Sequence, residues 1–322
     1  MSVKLISTIA KLREHLKREK ATGAIVGLVP TMGALHAGHT RLIDQAVQEC
    51  GHVVVTLFVN PIQFNQQGDY QRYPRNVDDD LEVCERQGAH VLFAPSLEEM
   101  YPDEQRAFVE VTHLGDHLCG EHRPGHFRGV TTVVMKLFNI AQPDRAYFGE
   151  KDAQQLALIS RMAGDLNLPV TIVPVATVRE HDGLALSSRN KRLDPEQRRV
   201  AVVLYEALRA GEAAIARGAC NSGEVIKEAR RAIDQHPEVR LEYFEVVDPE
   251  QLQPVSEITG PVRIAGAIWV GSTRLIDNLL CGPVQEPTQG PASRSAAGRV
   301  KEPGKEPAKE PSQENIKENV PV

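Results

Sequence analysis

Short apolar runs alternate with amphipathic helical stretches through the first half of this sequence, and no other feature constrains the fold as tightly. Residues 24–29 form an apolar run that Pro30 is expected to end, and helical spacing follows over 39–50. Residues 53–59 are β-branched and apolar throughout, the mark of a strand buried on both faces. The same rhythm continues with a helix over 78–87, a strand over 91–94, and a helix over 133–140 that starts near Arg128. It ends with a strand at 146–148, a helix over 152–166 and a strand over 170–178. Strands separated by helices need crossover connections, so the reading is a Rossmann-like α/β domain with a parallel sheet.

The rhythm changes after residue 178. A loop carrying Asp182-Gly183 and Ser187-Ser188 leads to helices expected over 195–217 and 222–235, then to strands over 241–247 and 262–270. The organisation expected is a Rossmann-like domain over 1–178, a smaller α+β domain over 179–282 and a tail over 283–322. In that tail Lys-Glu-Pro recurs at Lys301, Lys305 and Lys309. Large apolar residues are nearly absent there, so the tail reads as disordered.

Composition narrows the function classes. Of 322 residues, 41% are hydrophobic and 25% charged, which suits an ordinary packed protein. A formal charge of -6 argues against nonspecific nucleic-acid or anionic-membrane binding, since both need concentrated positive charge. The first twenty residues lack the apolar block of a signal peptide, and no run suffices to span a bilayer. Five scattered cysteines with no CxxC pair form neither a disulfide framework nor a zinc motif. A cytoplasmic protein is expected.

The residues that carry chemistry recur at strand-to-helix turns. In the first, PTMGALHAGH at 30–39, Gly33 and Gly38 let backbone approach a phosphate, and a helix start offers free N–H groups to an anion. His36 and His39 can turn toward one point and, when protonated, add charge for phosphoryl or nucleotidyl transfer. Neither GxGxxG nor Gly-Lys-Ser/Thr is present, which sets aside the dinucleotide and Walker loops. Asn60 and Gln63 in FVNPIQF suit a substrate bearing hydroxyls and a carboxylate. Arg123 and His126 belong to a basic, glycine-punctuated RPGHFRG segment, and FGEKDAQQ places Lys151 one helical turn before Gln155. Asp152 is positioned as a helix cap or a ribose or metal partner. Ser187, Ser188 and Arg189 gather phosphate-binding groups at the proposed domain junction. The acidic run 78–80 fits the positive end of a helix dipole better than a metal. These residues alone define an α/β enzyme handling a phosphorylated ligand.

Taken in order, PTMGALHAGH, FVNPIQF, YPR, RPGHFRGV, FGEKDAQQL and DGLALSSRN resemble the pantothenate synthetase family, up to the closing STRLIDN at 272–278. The family sits among nucleotidyltransferases with an HxGH pattern. The resemblance implies an ATP-dependent ligase with Mg that activates pantoate as an acyl-adenylate and passes it to β-alanine, and it implies a homodimer. By the match, His36, His39, Lys151, Ser187, Ser188 and Arg189 would act on the phosphates. Met32, Gly33, Gly149, Asp152 and Val178 would complete the ATP site, and Asp79 with Asp80 would help hold Mg. Pantoate would fall to Met32, Asn60, Gln63, Arg123, His126 and Gln155, with Tyr73 nearby. Two readings stay open beside it: another HxGH nucleotidyltransferase, which would need a further basic acceptor site, and a catalytically idle nucleotide-binding protein.

Overall fold

The computed structural model describes residues 2–65 and 67–282, and the tail expected to be disordered lies outside the described residues. The apolar runs of the first half become β2 (Val26–Thr31), β3 (His52–Leu57), β4 (Val91–Phe93), β5 (Arg145–Gly149) and β6 (Thr171–Val175), preceded by a short β1 (Lys4–Ile6). They pair in parallel in the order β1-β4-β3-β2-β5-β6. β2 and β3 are buried along nearly their whole length, which explains why VGLVPT and HVVVTL show no polar alternation. β1 was not expected, because the helical spacing of the first twenty residues runs over it. The helix α1 (Ile9–Ala21) begins only after Thr8, whose hydroxyl accepts from Lys11 N.

From β2 the chain winds outward through β3 and β4, then returns to lay β5 on the other side of β2. Such a reversal opens a crevice at the carboxyl ends of the two diverging strands. The register shows it: β2 pairs with β5 only to Leu28↔Ala146, whereas its pairing with β3 runs on to Thr31↔Leu57. Pro30 therefore lies inside β2 rather than ending it. It sits where the strand has already left β5, so its missing N–H breaks no ladder bond on that side.

The second sheet is antiparallel, ordered β7 (Val239–Val247), β8 (Val262–Val270) and β9 (Thr273–Cys281). The sequence reading missed β9 as a strand; a two-residue turn with Gly271 at φ 56° folds it tightly onto β8. Two helices, Val203–Ala216 and Ser222–Ile233, bury Leu204, Leu208, Val225 and Ala229 in one core with Ile264 and Ile268. The single helix expected over 195–217 is two, with Pro195–Val200 capped separately by Asp194 and Gln197. Residues 179–282 are not independent of the first sheet. Leu158 of helix Ala153–Asp165 packs in one cluster with Tyr243, Val247 and Ala267, so both sheets belong to one packed unit. Among the described residues, no helix is long and apolar enough to cross a membrane.

Candidate active site

The turn from β2 into α2 (Ala37–Glu49) is held from three directions. Thr31 Oγ1 donates to Thr56 O at 2.6 Å and accepts from Gly33 N at 3.2 Å. Gly33 and Ala34 have φ of 92° and 53°, and a Cβ on Gly33 would meet Leu57 Cδ1 at 2.5 Å. Asp80 supplies the third hold: its Oδ2 accepts from Ala34 N at 3.0 Å and its Oδ1 from Leu35 N at 2.7 Å. It is 3% exposed, whereas its neighbour Asp79 faces solvent. Asp80 thus ties its carboxylate to the loop, and neither it nor Asp79 lines the cleft described below.

His36 caps α2. Its Nδ1 accepts from Gly38 N at 3.1 Å, while His39 Nδ1 accepts from His36 N at 3.4 Å, a reciprocal box made of two imidazoles. A Cβ at position 38 would lie 2.8 Å from His36 Cε1, so glycine there is part of the cap. With both Nδ1 atoms accepting, each ring carries its proton on Nε2. Burial, and then the Lys151 ammonium, holds the His36 pKa down at about 4; burial and then His36 hold that of His39 at about 3. The rings are thus neutral N–H donors near neutral pH, and the charge they could add when protonated is not available there.

Across the mouth of β3, Asn60 organises a second wall. Its Nδ2 donates to Gln63 Oε1 and to Gly129 O, each at 3.1 Å, and its Oδ1 accepts from Tyr101 at 2.8 Å. Only 1% exposed and outside the cleft lining, it fixes Gln63, whose Nε2 points to Met32 Sδ at 3.0 Å. His126 donates from Nδ1 to Gln63 O at 2.8 Å and accepts from Arg123 Nη1 at 3.0 Å. Burial first, then Arg123, pushes the His126 pKa to about 3, and burial with Arg189 pushes that of Arg123 down to about 10. Helix His126–Ala141 can lie this close because residue 129 is glycine: a Cβ there would sit 2.6 Å from Ile62 O.

The third wall comes from β5 and the segment after β6. Lys151 lies in the turn between β5 and helix Ala153–Asp165. Asn278 of β9 donates from Nδ2 to Glu150 O and Lys151 O, both at 3.0 Å, so the second sheet clamps the turn bearing the lysine. Beside Asn278, Asp277 is paired with both terminal nitrogens of Arg179, at 2.5 and 3.0 Å. Ser187 Oγ accepts from Arg189 N at 3.3 Å, and Ser188 lies 3.5 Å from the Tyr73 hydroxyl. Arg189 and Arg192 share Asp69, at 3.3 and 2.8 Å; burial pushes that carboxyl up, and the guanidiniums more than offset it.

These walls enclose a cleft of about 220 Å³. Of the site residues singled out in the sequence, all but Gly33, Asn60, Asp79 and Asp80 line it. Tyr73 lines it too, and Asp152 stands at the start of its helix without making a side-chain cap bond. What the sequence did not disclose is the support: Tyr101 behind Asn60, Thr56 behind Thr31, and Asn278 and Gln154. Gln154 binds Leu114 O, His117 O and Cys119 N and so fixes the loop beside the cleft. Asn278 falls within the closing motif, but nothing local assigns it to a turn over a hundred residues earlier.

A parallel sheet with its ligand cleft at the strand-order reversal, walled by an HxGH turn and a lysine turn, defines an α/β enzyme of the HxGH nucleotidyltransferase class. Residues 4–280 match the family model described as pantoate-beta-alanine ligase. The chain is 49% identical over 278 residues to the pantothenate synthetase of Moorella thermoacetica, covering 86% of this chain and 98% of that one. Its structure is similar to that of pantothenate synthetase from Thermus thermophilus, at TM-score 0.82 and 46% identity, with 86% and 99% of the two chains covered. It is also similar to pantoate-beta-alanine ligase from Francisella tularensis, solved in complex with Beta-gamma ATP and β-alanine. There the TM-score is 0.72 and the identity 35%, with 86% and 97% covered. The chain belongs to the pantoate–β-alanine ligase family. It is a carbon–nitrogen ligase that binds ATP and condenses pantoate with β-alanine to give pantothenate.

Proposed function

We propose that the three walls divide the reaction between them. The observation that carries this reading is that Lys151, His36 and His39 face one cleft from opposite sides of the β2/β5 crevice, with Gln63 and Gln155 on the same lining. The cationic and N–H donor side takes the triphosphate, and the neutral amide side takes pantoate. Gln63 is a suitable holder for a hydroxy acid because Asn60 and His126 fix its side chain and its carbonyl before any ligand arrives.

In the first step the pantoate carboxylate attacks the α-phosphate and pyrophosphate leaves. Charge grows on the phosphate oxygens as the bond to the leaving group lengthens. Fixed donors aimed there are stronger than mobile water because they need no reorganisation. The Nε2–H groups of His36 and His39, the Lys151 ammonium, Arg189 and the hydroxyls of Ser187 and Ser188 are assigned this task. Gly149, Asp152 and Val178, which line the cleft, are assigned to the nucleotide side, and Met32, beside Gln63, to the boundary between the two substrates. In the second step the β-alanine amine attacks the acyl carbon, and AMP leaves with the electron pair of the cleaved C–O bond.

Mg is expected of an ATP-using ligase, but Asp79 and Asp80 do not fit it: one is exposed and the other is committed to Ala34 and Leu35. The ion belongs with the triphosphate oxygens, a common source of its ligands. The free state of all five cysteines, four of them buried, favours a cytoplasmic setting. A homodimer, as the family resemblance implies, is checked by sedimentation.

The decisive assay is exchange of labelled pyrophosphate into ATP with pantoate and Mg present and β-alanine absent. Exchange that requires pantoate, and that disappears in His36→Ala, is the expected result. A folded protein that binds ATP but gives no such exchange contradicts the acyl-adenylate reading.

A further inference from the structure

At the opposite end of the sheet from the cleft, His15, Glu19 and His52 meet. His15 and Glu19 are one turn apart on α1, and His52 opens β3. One imidazole nitrogen from each histidine and one carboxylate oxygen all lie within 4.8 Å of one another. His15 Nε2 is 3.1 Å from His52 Nε2, and Glu19 places its two oxygens 3.9 Å from His15 Nε2 and 3.8 Å from His52 Nδ1. The side chains of His15 and His52 are 11% and 6% exposed, and that of Glu19 is 34% exposed. Among the described residues this is the one grouping of three such ligands.

We propose that His15, Glu19 and His52 form a binding site for a divalent transition-metal ion of the zinc type, remote from catalysis, that ties α1 to the head of β3. Two imidazoles and a carboxylate are a common protein set for such an ion, with a water completing four-coordination. Donors about 2.0–2.2 Å from a tetrahedral zinc stand roughly 3.3 Å apart, close to the present nitrogen pair. The competing account is a lone hydrogen bond between two neutral imidazoles. It leaves the approach of Glu19 unexplained: the carboxylate lies 3.9 Å from His15 Nε2 and 3.8 Å from His52 Nδ1, the His52 nitrogen not paired with His15, too far for a hydrogen bond to either. A cation held by His15 Nε2, one oxygen of Glu19 and a single nitrogen of His52 accounts for three ligand atoms standing within 4.8 Å of one another.

The surroundings are compatible. Burial lowers the pKa of both rings, that of His52 to about 4, which leaves lone pairs available near neutrality. Lys4, Arg18 and His90 disfavour positive charge here and Glu19 favours it. His90 is not a fourth ligand, because its Nδ1 already accepts from Val53 N at 3.1 Å. The class of metal follows from the nitrogen donors, which Mg and Ca avoid.

The test uses the full chain without a histidine tag, stripped with a chelator. Zn(II) is titrated by calorimetry and Co(II) by its visible absorption. One ion per chain, with a four-coordinate Co(II) spectrum and a higher melting temperature in Zn(II), is expected. Glu19→Gln, chosen because the residue is half-exposed and dispensable to the core, should weaken Zn(II) binding about tenfold or more. His15→Gln should abolish the Co(II) spectrum, with pantothenate formation unchanged in both variants. A folded wild-type chain that binds neither ion, or one whose binding both variants retain at full affinity, overturns the site.

Discussion

Asn60 shows how a side chain can shape a cleft it does not line. Its amide is fully committed to Gln63, Gly129 and Tyr101. Asn60→Ala removes the partners of Gln63 Oε1 and the Tyr101 hydroxyl and should destabilise the protein by about 1–3 kcal/mol. It should also raise KM for pantoate more than it lowers kcat, because Gln63 loses its orientation; thermal melts and steady-state kinetics check both. Lys151 makes the opposite case. Its charge is assigned to the reacting phosphates, so Lys151→Ala should lower kcat by about a hundredfold or more with an unchanged melting temperature. Wild-type turnover in that variant removes the assignment. Both residues were visible in the sequence, but only Lys151 carried its role there. A lysine at a strand-to-helix turn has a local meaning, whereas two of the three partners of Asn60 lie 41 and 69 residues away and no spacing reveals them. The histidines were legible as a pair, yet their protonation was not, because it depends on backbone N–H groups that only the folded cap aims at Nδ1.

Among elements, helix His126–Ala141 places a strict demand on one position that bears on the site. Alanine normally favours a helix over glycine by about 1 kcal/mol. At position 129 that preference should be reversed, because the new methyl would lie 2.6 Å from Ile62 O and 2.7 Å from Gln63 Cα, backbone atoms that cannot swing aside. Gly129→Ala is expected to lose about 1–3 kcal/mol of stability and to weaken pantoate binding by pushing Gln63 away. A melting temperature at or above wild type would show that the contact relaxes freely. The sheet's central strands were plain in the sequence because burial on both faces leaves long unbroken apolar runs. β1 has only three residues and is overrun by the helical spacing of α1, and β9 mixes Arg274, Asp277 and Asn278 among its apolar residues. Asp277 and Asn278 are there for the ion pair with Arg179 and the clamp on Lys151, so the same requirement that serves the site hides the strand.

For the whole molecule, acid is the expected weakness. His36, His39 and His126 have folded pKa values of about 4, 3 and 3, all below the ordinary 6.5. Between those values and 6.5 the unfolded chain binds more protons than the folded one. Their contribution is therefore complete above about pH 6.5 and is lost as pH falls toward 4. Melting temperatures should be level from pH 7 to 8 and decline steadily from pH 6.5 to 4.5; a level profile down to pH 4.5 contradicts the buried neutral state of these rings. Removing residues 283–322 should leave kcat and melting temperature nearly unchanged, since every residue assigned to the cleft precedes 283; a large fall in either would refute this. The clamp from Asn278 has a further consequence, for the order in which the protein is made. His36, Gln63, Lys151 and Arg189 are all synthesised well before the strand that carries Asn278. A nascent chain thus holds every reacting group while the lysine turn is still unfastened. If that clamp is needed to hold Lys151, competence to activate pantoate arrives late in translation, with β9, and a chain abandoned on the ribosome short of it has the reacting groups without their fastening.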